Sequence, residues 1–69
     1  MRNNKELLTF ISHDNKVHVK LILKAHKHFV IIISDEYRKV KNRTLHNSLD
    51  KDSSIQEFHK IVGLLTNKI

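Results

Sequence analysis

The sequence predicts a small α+β domain with the element order α-β-β-β-α, in which both helices cover one face of a three-stranded antiparallel sheet. Two strand-like segments in the middle of the chain and an amphipathic segment near each end favour this fold. The chain has 69 residues, and a chain of this size buries only about 60% of the surface that its unfolded form exposes. A hydrophobic fraction of 39% and a charged fraction of 29% are typical of ordered globular proteins. We therefore expect one small basic domain that spans residues 1–69.

The segment from residue 4 to residue 12 is predicted to form a short helix. Its apolar residues recur at helical spacing: Leu7, Leu8, Phe10 and Ile11. Asn3 and Glu6 have the spacing of a capping box, with Asn in place of Ser. After this segment, Asp14 and Asn15 favour a turn, because their side chains bond to the nearby backbone.

Residues 16–24 form the clearest predicted strand, since apolar and polar residues alternate strictly. The second predicted strand, residues 28–34, is almost continuously β-branched, so the hairpin register decides which way its side chains face. A three-residue loop, Ala25 to Lys27, pairs Leu21 with Ile31 and places the large apolar groups of both strands on one face. Loops of two or four residues would place them on opposite faces. We therefore predict the three-residue loop, even though no Gly occupies its left-handed position.

The segment that follows Ser34 fits two interpretations. As a third strand, it would begin after a two-residue turn at Asp35 and Glu36, which pairs Ile31 with Val40. As a helix, it would have Ser34 as its N-cap and the two acidic residues in its first turn. We favour the strand because four residues of this segment are poor helix formers: Asn42, Thr44, Asn47 and Ser48. A polar loop is predicted at 46–53.

The C-terminal segment is predicted to form a strongly amphipathic helix. Ser54 and Glu57 have the spacing of a capping box, which places the start of the helix at Ser54. Its apolar residues lie on one side: Ile55, Phe58, Val62, Leu65 and Ile69.

The distribution of charge points to a polyanionic partner. The net charge is +6. The whole excess of positive charge lies between residues 16 and 43, where there are eight Lys and Arg residues and only two acidic residues, Asp35 and Glu36. Concentrated positive charge raises the local concentration of polyanions and speeds encounter with them. We therefore expect a DNA- or RNA-binding protein with a regulatory role.

The predicted registers collect most of this charge on the sheet face that the helices leave open. The candidate nucleic-acid-binding residues are His18, Lys20, Lys24, Lys27, His28, Tyr37, Arg38, Lys39, Lys41 and Arg43. Three aliphatic residues are interleaved with them: Ile22, Val30 and Ile32. Phosphate contacts would supply the affinity, while base stacking would be weak because Tyr37 is the only aromatic residue predicted on that face. The alternative function is protein binding, in which this face docks on an acidic partner or forms a homodimer.

The sequence contains no complete catalytic, cofactor or metal motif. The absence of Cys excludes disulfides and thiolate zinc sites. His26 and His28 have a spacing compatible with a metal, but no third ligand with a recognisable spacing follows. The longest apolar stretch, residues 29–33, is far shorter than a membrane span. We therefore expect a non-enzymatic, soluble, cytoplasmic protein with no cofactor and no membrane partner.

The predicted element order is similar to that of three protein families. It resembles double-stranded-RNA-binding domains, although Ser53 to Glu57 stands where those domains carry a basic cluster. It is also similar to the arm-binding domains of phage-type integrases, whose basic sheet face enters the DNA major groove; the matching residues are Lys20, Lys24, Lys39 and Lys41. Thirdly, it resembles small HicA-like toxins, a less favoured alternative function. That resemblance implies RNA cleavage by His26, with Lys24-Ala25-His26 in place of the family's Gly-Ser-His.

Overall fold

The computed structural model describes residues 4–25 and 27–66. Its elements in chain order are β1 (Lys5–Ile11), β2 (Val17–Lys24), β3 (His28–Asp35), β4 (Val40–Ser48) and α1 (Lys51–Thr66). The strands form one antiparallel sheet in the order β1-β2-β3-β4. Helix α1 packs on one face of this sheet, across β2, β3 and β4. Five buried residues form the core between helix and sheet: Val17, Val19, Leu21, Ile31 and Phe58.

The predicted α-β-β-β-α order is wrong, because the segment predicted as the first helix is strand β1. The cause is a β-bulge at Leu7, an extra residue between the pairs Glu6 with Ile22 and Leu8 with Leu21. A bulge sets two residues against one on the neighbouring strand. Leu7 and Leu8 consequently both pack against the core although they are adjacent in sequence. This doublet breaks the alternation of a regular strand and imitates helical spacing. Asn3, the predicted cap, lies outside the described residues.

The β2–β3 hairpin has the predicted three-residue loop and the predicted register. Leu21 pairs with Ile31, and both side chains are fully buried. The need for a left-handed residue in the loop is met by Ala25, with φ of 50°. The large apolar side chains of β2 and β3 therefore lie on the same face of the sheet, beneath α1.

Strand β4 is a strand, as favoured from the sequence, but the predicted register is wrong. Val40 pairs with Asp35 and not with Ile31, because the turn contains four residues, 36–39, and not two. The Asp35 side chain organises this turn by accepting a hydrogen bond from the backbone N–H of Tyr37 (2.9 Å). An irregularity between Val40 and Arg43 then places Arg43 opposite Ile33, on the α1 side of the sheet, and a second one follows between Thr44 and His46.

Helix α1 is amphipathic as predicted, but it begins before Ser54. Its N-cap is Asp50, whose carboxylate accepts hydrogen bonds from the backbone N–H of Asp52 (3.2 Å) and the hydroxyl of Ser53 (2.7 Å). Ser54 is fully buried, and its hydroxyl donates to the backbone carbonyl of Asp50 (2.9 Å). The predicted loop at 46–53 is therefore the end of β4 and the start of α1. Ile69, a predicted apolar position, lies outside the described residues.

Within the ranges 4–25 and 27–66, α1 is too short and too polar to cross a lipid bilayer.

Candidate nucleic-acid interface

The face of the sheet opposite α1, here called the open face, is built on alternate positions of β2 and β3. Directly paired residues of antiparallel strands share a face. The cross-strand pairs of the open face are His18 with Ser34, Lys20 with Ile32, Ile22 with Val30, and Lys24 with His28. Strand β1 adds Glu6, Thr9 and Ile11 to this face through their pairing with Ile22, Lys20 and His18.

The aliphatic residues of the open face are largely covered by their neighbours. Val30 is only 3% exposed, although it lies outside the core cluster. Ile22 and Ile32 are half-buried, as are Lys20 and Lys24 beside them. Lysine stems can cover aliphatic surface while their ammonium groups reach solvent. The open face therefore presents its charges to solvent and carries little exposed aliphatic surface.

The lysines of the open face form no ion pair in the described part of the chain, and Glu6 of β1, on the same face, accepts a hydrogen bond from Thr9. The one ion pair found across residues 4–25 and 27–66 joins Arg38 to Asp35 (3.9 Å). On α1, by contrast, two lysines are matched in number by two acids: Lys51, Lys60, Asp52 and Glu57. The positive potential is therefore concentrated on the sheet, and the helix adds no net charge.

Half of the ten candidate residues meet on the open face. Those five are His18, Lys20, Lys24, His28 and Lys41. Lys27 is exposed in the β2–β3 loop. Arg38 and Lys39 lie in the β3–β4 turn, and Arg43 occupies a position on the α1 side of the sheet. The corrected register of β4 causes this change.

Tyr37 is also displaced from its predicted position. Its ring lies beneath the Lys16 ammonium, whose Nζ is 5.6 Å from the ring centroid, and its hydroxyl donates a hydrogen bond to Asp14. It lines a groove on the α1 side, together with Phe10 and Leu65. Among the described residues, the open face therefore carries no Phe or Tyr ring, and its ring side chains are the imidazoles of His18 and His28.

A depression of about 280 Å³ lies at the end of the open face that is nearest the β1–β2 and β3–β4 turns. Its lining residues are Lys16, His18, Lys20, Ile32, Ser34, Asp35, Glu36, Val40, Lys41 and Asn42. The Ser34 hydroxyl donates to Asn42 Oδ1 (3.3 Å) and accepts from the Asn42 backbone N–H (3.0 Å). This use of Oδ1 leaves the Asn42 amide group as a donor. Asn42 adopts a left-handed conformation, with φ of 52°, which Asn tolerates better than most residues.

Lys16, Ser34 and Asn42 were not among the candidate residues. The predicted register of β4 placed Lys39 and Lys41 against β3 and gave no reason to bring Asn42 to Ser34. Of these three residues, only Lys16 carried a signal in the sequence, its positive charge.

The hydrogen bonding of His18 defines which ring nitrogen carries a proton. Its Nε2 lies 3.0 Å from the backbone carbonyl oxygen of Asn15. A carbonyl oxygen only accepts, so Nε2 must be the donor. This bond anchors the imidazole to the β1–β2 turn and leaves Nδ1 for an external partner.

The turn end of the open face is bounded by acidic groups. Glu36 lines the depression, and its backbone N–H donates to the carbonyl of Lys16 (3.0 Å). Asp14 lies in the β1–β2 turn, where hydrogen bonds from the Ser12 hydroxyl and from the backbone N–H of Lys16 hold the pKa of its carboxyl below the usual value. Asp14 is therefore ionised at neutral pH. The opposite end carries Lys24 and His28 on the open face, with Lys27 in the adjoining loop and Glu6 of β1 beside Ile22.

Comparisons with protein-family models, with curated proteins and with solved structures find no match to this chain. The three resemblances drawn from the sequence depended on a first helix, and strand β1 removes that basis. His26, to which RNA cleavage would map, lies outside the described residues. In the part of the chain that the structure describes, no cluster of three His or acidic residues could hold a metal ion.

Proposed function

We propose that this protein is a small cytoplasmic regulatory protein that binds nucleic acid through the open face, mainly by contacts to the phosphate backbone. The observation that carries the proposal is the set of three lysines, Lys20, Lys24 and Lys41, on this face with no acidic partner among the described residues. Phosphates would supply the missing negative charge, and the release of their counterions would drive binding.

The spacing of the lysines suits a polyanion. Lys20 and Lys24 lie on the same side of β2, four residues apart, which corresponds to about 13 Å along a strand. The B-DNA major groove is about 12 Å wide, so the two ammonium groups can contact separate phosphates. Because the face has no Phe or Tyr ring among the described residues and only the small imidazoles of His18 and His28, it offers little stacking surface for bases. We therefore propose binding with little preference for base sequence.

The covered aliphatic residues favour a polyanion over a second copy of the chain. A homodimer interface has an apolar core, yet the exposed large hydrophobic residues are mostly elsewhere: Ile11, Tyr37, Leu45, Leu49 and Leu64. Of these, Ile11 is at an open-face position, at its edge, and Leu45 occupies the irregularity of β4 between Thr44 and His46.

The proposal is tested with two variants of equal net charge. Lys20→Gln/Lys24→Gln removes two charges from the open face, and Lys51→Gln/Lys60→Gln removes two from exposed positions of α1. Fluorescence anisotropy measures the binding of duplex DNA, duplex RNA and single strands at several NaCl concentrations. We expect the open-face variant to bind more weakly and its log K against log [salt] slope to flatten by about one for each phosphate that is no longer neutralised. The α1 variant should bind much more like the original chain.

Two results would contradict the proposal. Equal loss of affinity in both variants would mean that net charge alone, and not the open face, determines binding. No binding of any of the nucleic acids at low salt would exclude the function and leave an acidic protein as the partner to test.

A further inference from the structure

The depression at the turn end of the open face differs from the rest of that face in being concave and in drawing its cations from separate segments. Lys16 comes from the β1–β2 turn, Lys20 from β2 and Lys41 from β4. Asn42 adds a neutral donor, because its Oδ1 is engaged by Ser34. An anion in this depression would be contacted from several directions, whereas a phosphate over Lys24 would be contacted from one side.

The same depression marks the end of the cationic surface. From the β2–β3 loop, lysines follow one another along the open face as far as Lys16 and Lys41. At its turn side the depression is itself lined by the exposed carboxylate of Glu36 and by buried Asp35, which pairs with Arg38 (3.9 Å). Asp14 is ionised in the neighbouring turn. A phosphate backbone that continued past the depression would meet these like charges. A strand that ends there would not pass them.

The number of acceptor oxygens on a terminal phosphate also matches the number of donor groups that line the depression. Such a phosphate carries about −1.5 to −2 charges at neutral pH and has three strong acceptor oxygens, whereas each phosphate within the backbone carries a single charge. Lys20, Lys41 and the Asn42 amide group line the depression and offer one donor group for each of those oxygens, while the Lys16 ammonium lies over the Tyr37 ring. We propose that the depression binds the terminal phosphate of a nucleic acid strand, so that the protein recognises phosphorylated strand ends. This inference rests on the proposed function and specifies which part of the nucleic acid the site selects.

The experiment compares one short oligonucleotide in three forms: with a 5′-phosphate, with a 3′-phosphate and with hydroxyl groups at both ends. We expect one or both phosphorylated forms to bind at least about tenfold more tightly than the hydroxyl form, because a terminal phosphate adds a charge-assisted hydrogen bond. The two phosphorylated arms determine which end is recognised. Lys41→Gln should abolish the preference. Lys24→Gln is the matched control, because it removes one charge at the other end of the open face and should weaken all three forms equally.

The outcomes separate this inference from the proposed function. Equal binding of the three forms by the original chain would overturn terminal-phosphate recognition and leave backbone binding intact. No binding of any form would overturn both. A preference that survives in Lys41→Gln, or that disappears in Lys24→Gln as well, would overturn the assignment to the depression. Thermal unfolding of both variants, each altered at a surface lysine, establishes that they are folded.

Discussion

Leu21 and Ile22 are neighbours in the chain and have opposite structural roles. Successive residues of a strand point to opposite faces of the sheet. Leu21 lies between Leu8 and Ile31 in the core and has no exposed surface. Ile22 lies on the open face and is half-buried. The difference in solvent exposure between these two aliphatic side chains distinguishes the sheet face that packs in the core from the open face, which is free to bind a partner.

Truncation of the two side chains tests this assignment. Leu21→Ala should lower the free energy of unfolding by about 2–5 kcal/mol, because it removes apolar contacts and leaves a cavity. Ile22→Ala should cost clearly less, since part of its surface is already in solvent. Chemical denaturation at two protein concentrations measures both effects. A larger loss for Ile22→Ala, or a stability that changes with protein concentration, would show that the open face is buried in a homodimer.

Ser54 shows how burial can change the role of a residue. Its hydroxyl hydrogen is used in the bond to the Asp50 carbonyl, so its oxygen accepts from His46 Nε2, 3.1 Å away. This bond connects β4 to α1 and provides the buried hydroxyl with a second partner. The sequence pattern identified Ser54 as a helix cap, because a tertiary partner such as His46 cannot be found from local spacing.

At the scale of elements, prediction succeeded where a single periodicity was uninterrupted. The strict alternation from Val17 to Lys24 defined β2, and the requirement for one apolar face then determined the β2–β3 register. Strand β1 was misassigned because its bulge at Leu7 is decided by packing against β2. The β4 register depended on the length of a turn, and the four-residue turn is stabilised by the hydrogen bond from the Tyr37 backbone N–H to Asp35.

The candidate site was predictable to the same extent as the strands that carry it. His18, Lys20, Lys24 and His28 lie on the open face because the β2–β3 register was correct. Arg43 was misplaced because the irregularity between Val40 and Arg43 shifts the side chains that follow it to the other face. The depression joins three segments and could not be identified without the β4 register.

The N-cap of α1 provides the second stability test, because its carboxyl is titratable. The hydrogen bond from the Ser53 hydroxyl, supported by the backbone N–H of Asp52, holds the pKa of Asp50 below its ordinary value of 3.8. A carboxyl with a lowered pKa in the folded state stabilises fully above its unfolded pKa, and this contribution is lost as the pH falls through the folded pKa. Asn is also a favourable cap but does not titrate.

We therefore expect the thermal midpoint of the original chain to fall more steeply than that of Asp50→Asn as the pH is lowered from about 5 to about 2. Near neutral pH, Asp50→Asn should be close to the original chain in stability, whereas Asp50→Ala should be less stable because the cap is removed. Circular dichroism melts across this pH range measure both effects. Parallel pH curves for the original chain and Asp50→Asn would show that the Asp50 carboxylate does not contribute to acid unfolding.

At the scale of the whole molecule, the charge distribution determines how salt acts on the protein. The molecule measures 35 × 25 × 15 Å along its principal axes. The Debye length is about 30 Å at 0.01 M salt and about 8 Å at 0.15 M. At low salt the positive charges therefore interact across the entire molecule, and at physiological salt mainly with their neighbours. Because the lysines of the open face lack acidic partners among the described residues, their mutual interaction is repulsive.

Salt should consequently act in opposite directions on the free protein and on its complex. Raising NaCl from about 0.01 M to about 0.15 M screens the lysine repulsion, so the thermal midpoint of the free protein should rise. With a saturating oligonucleotide, the midpoint should be higher at low salt because a ligand that binds the folded state stabilises it. It should then fall with salt as affinity decreases, and the two curves should converge. In Lys20→Gln/Lys24→Gln both dependences should be weaker, since two of the mutually repelling charges are absent. Parallel curves with and without oligonucleotide would contradict electrostatic binding. A free protein destabilised by salt would show that attractive ion pairs outweigh the repulsion on the open face.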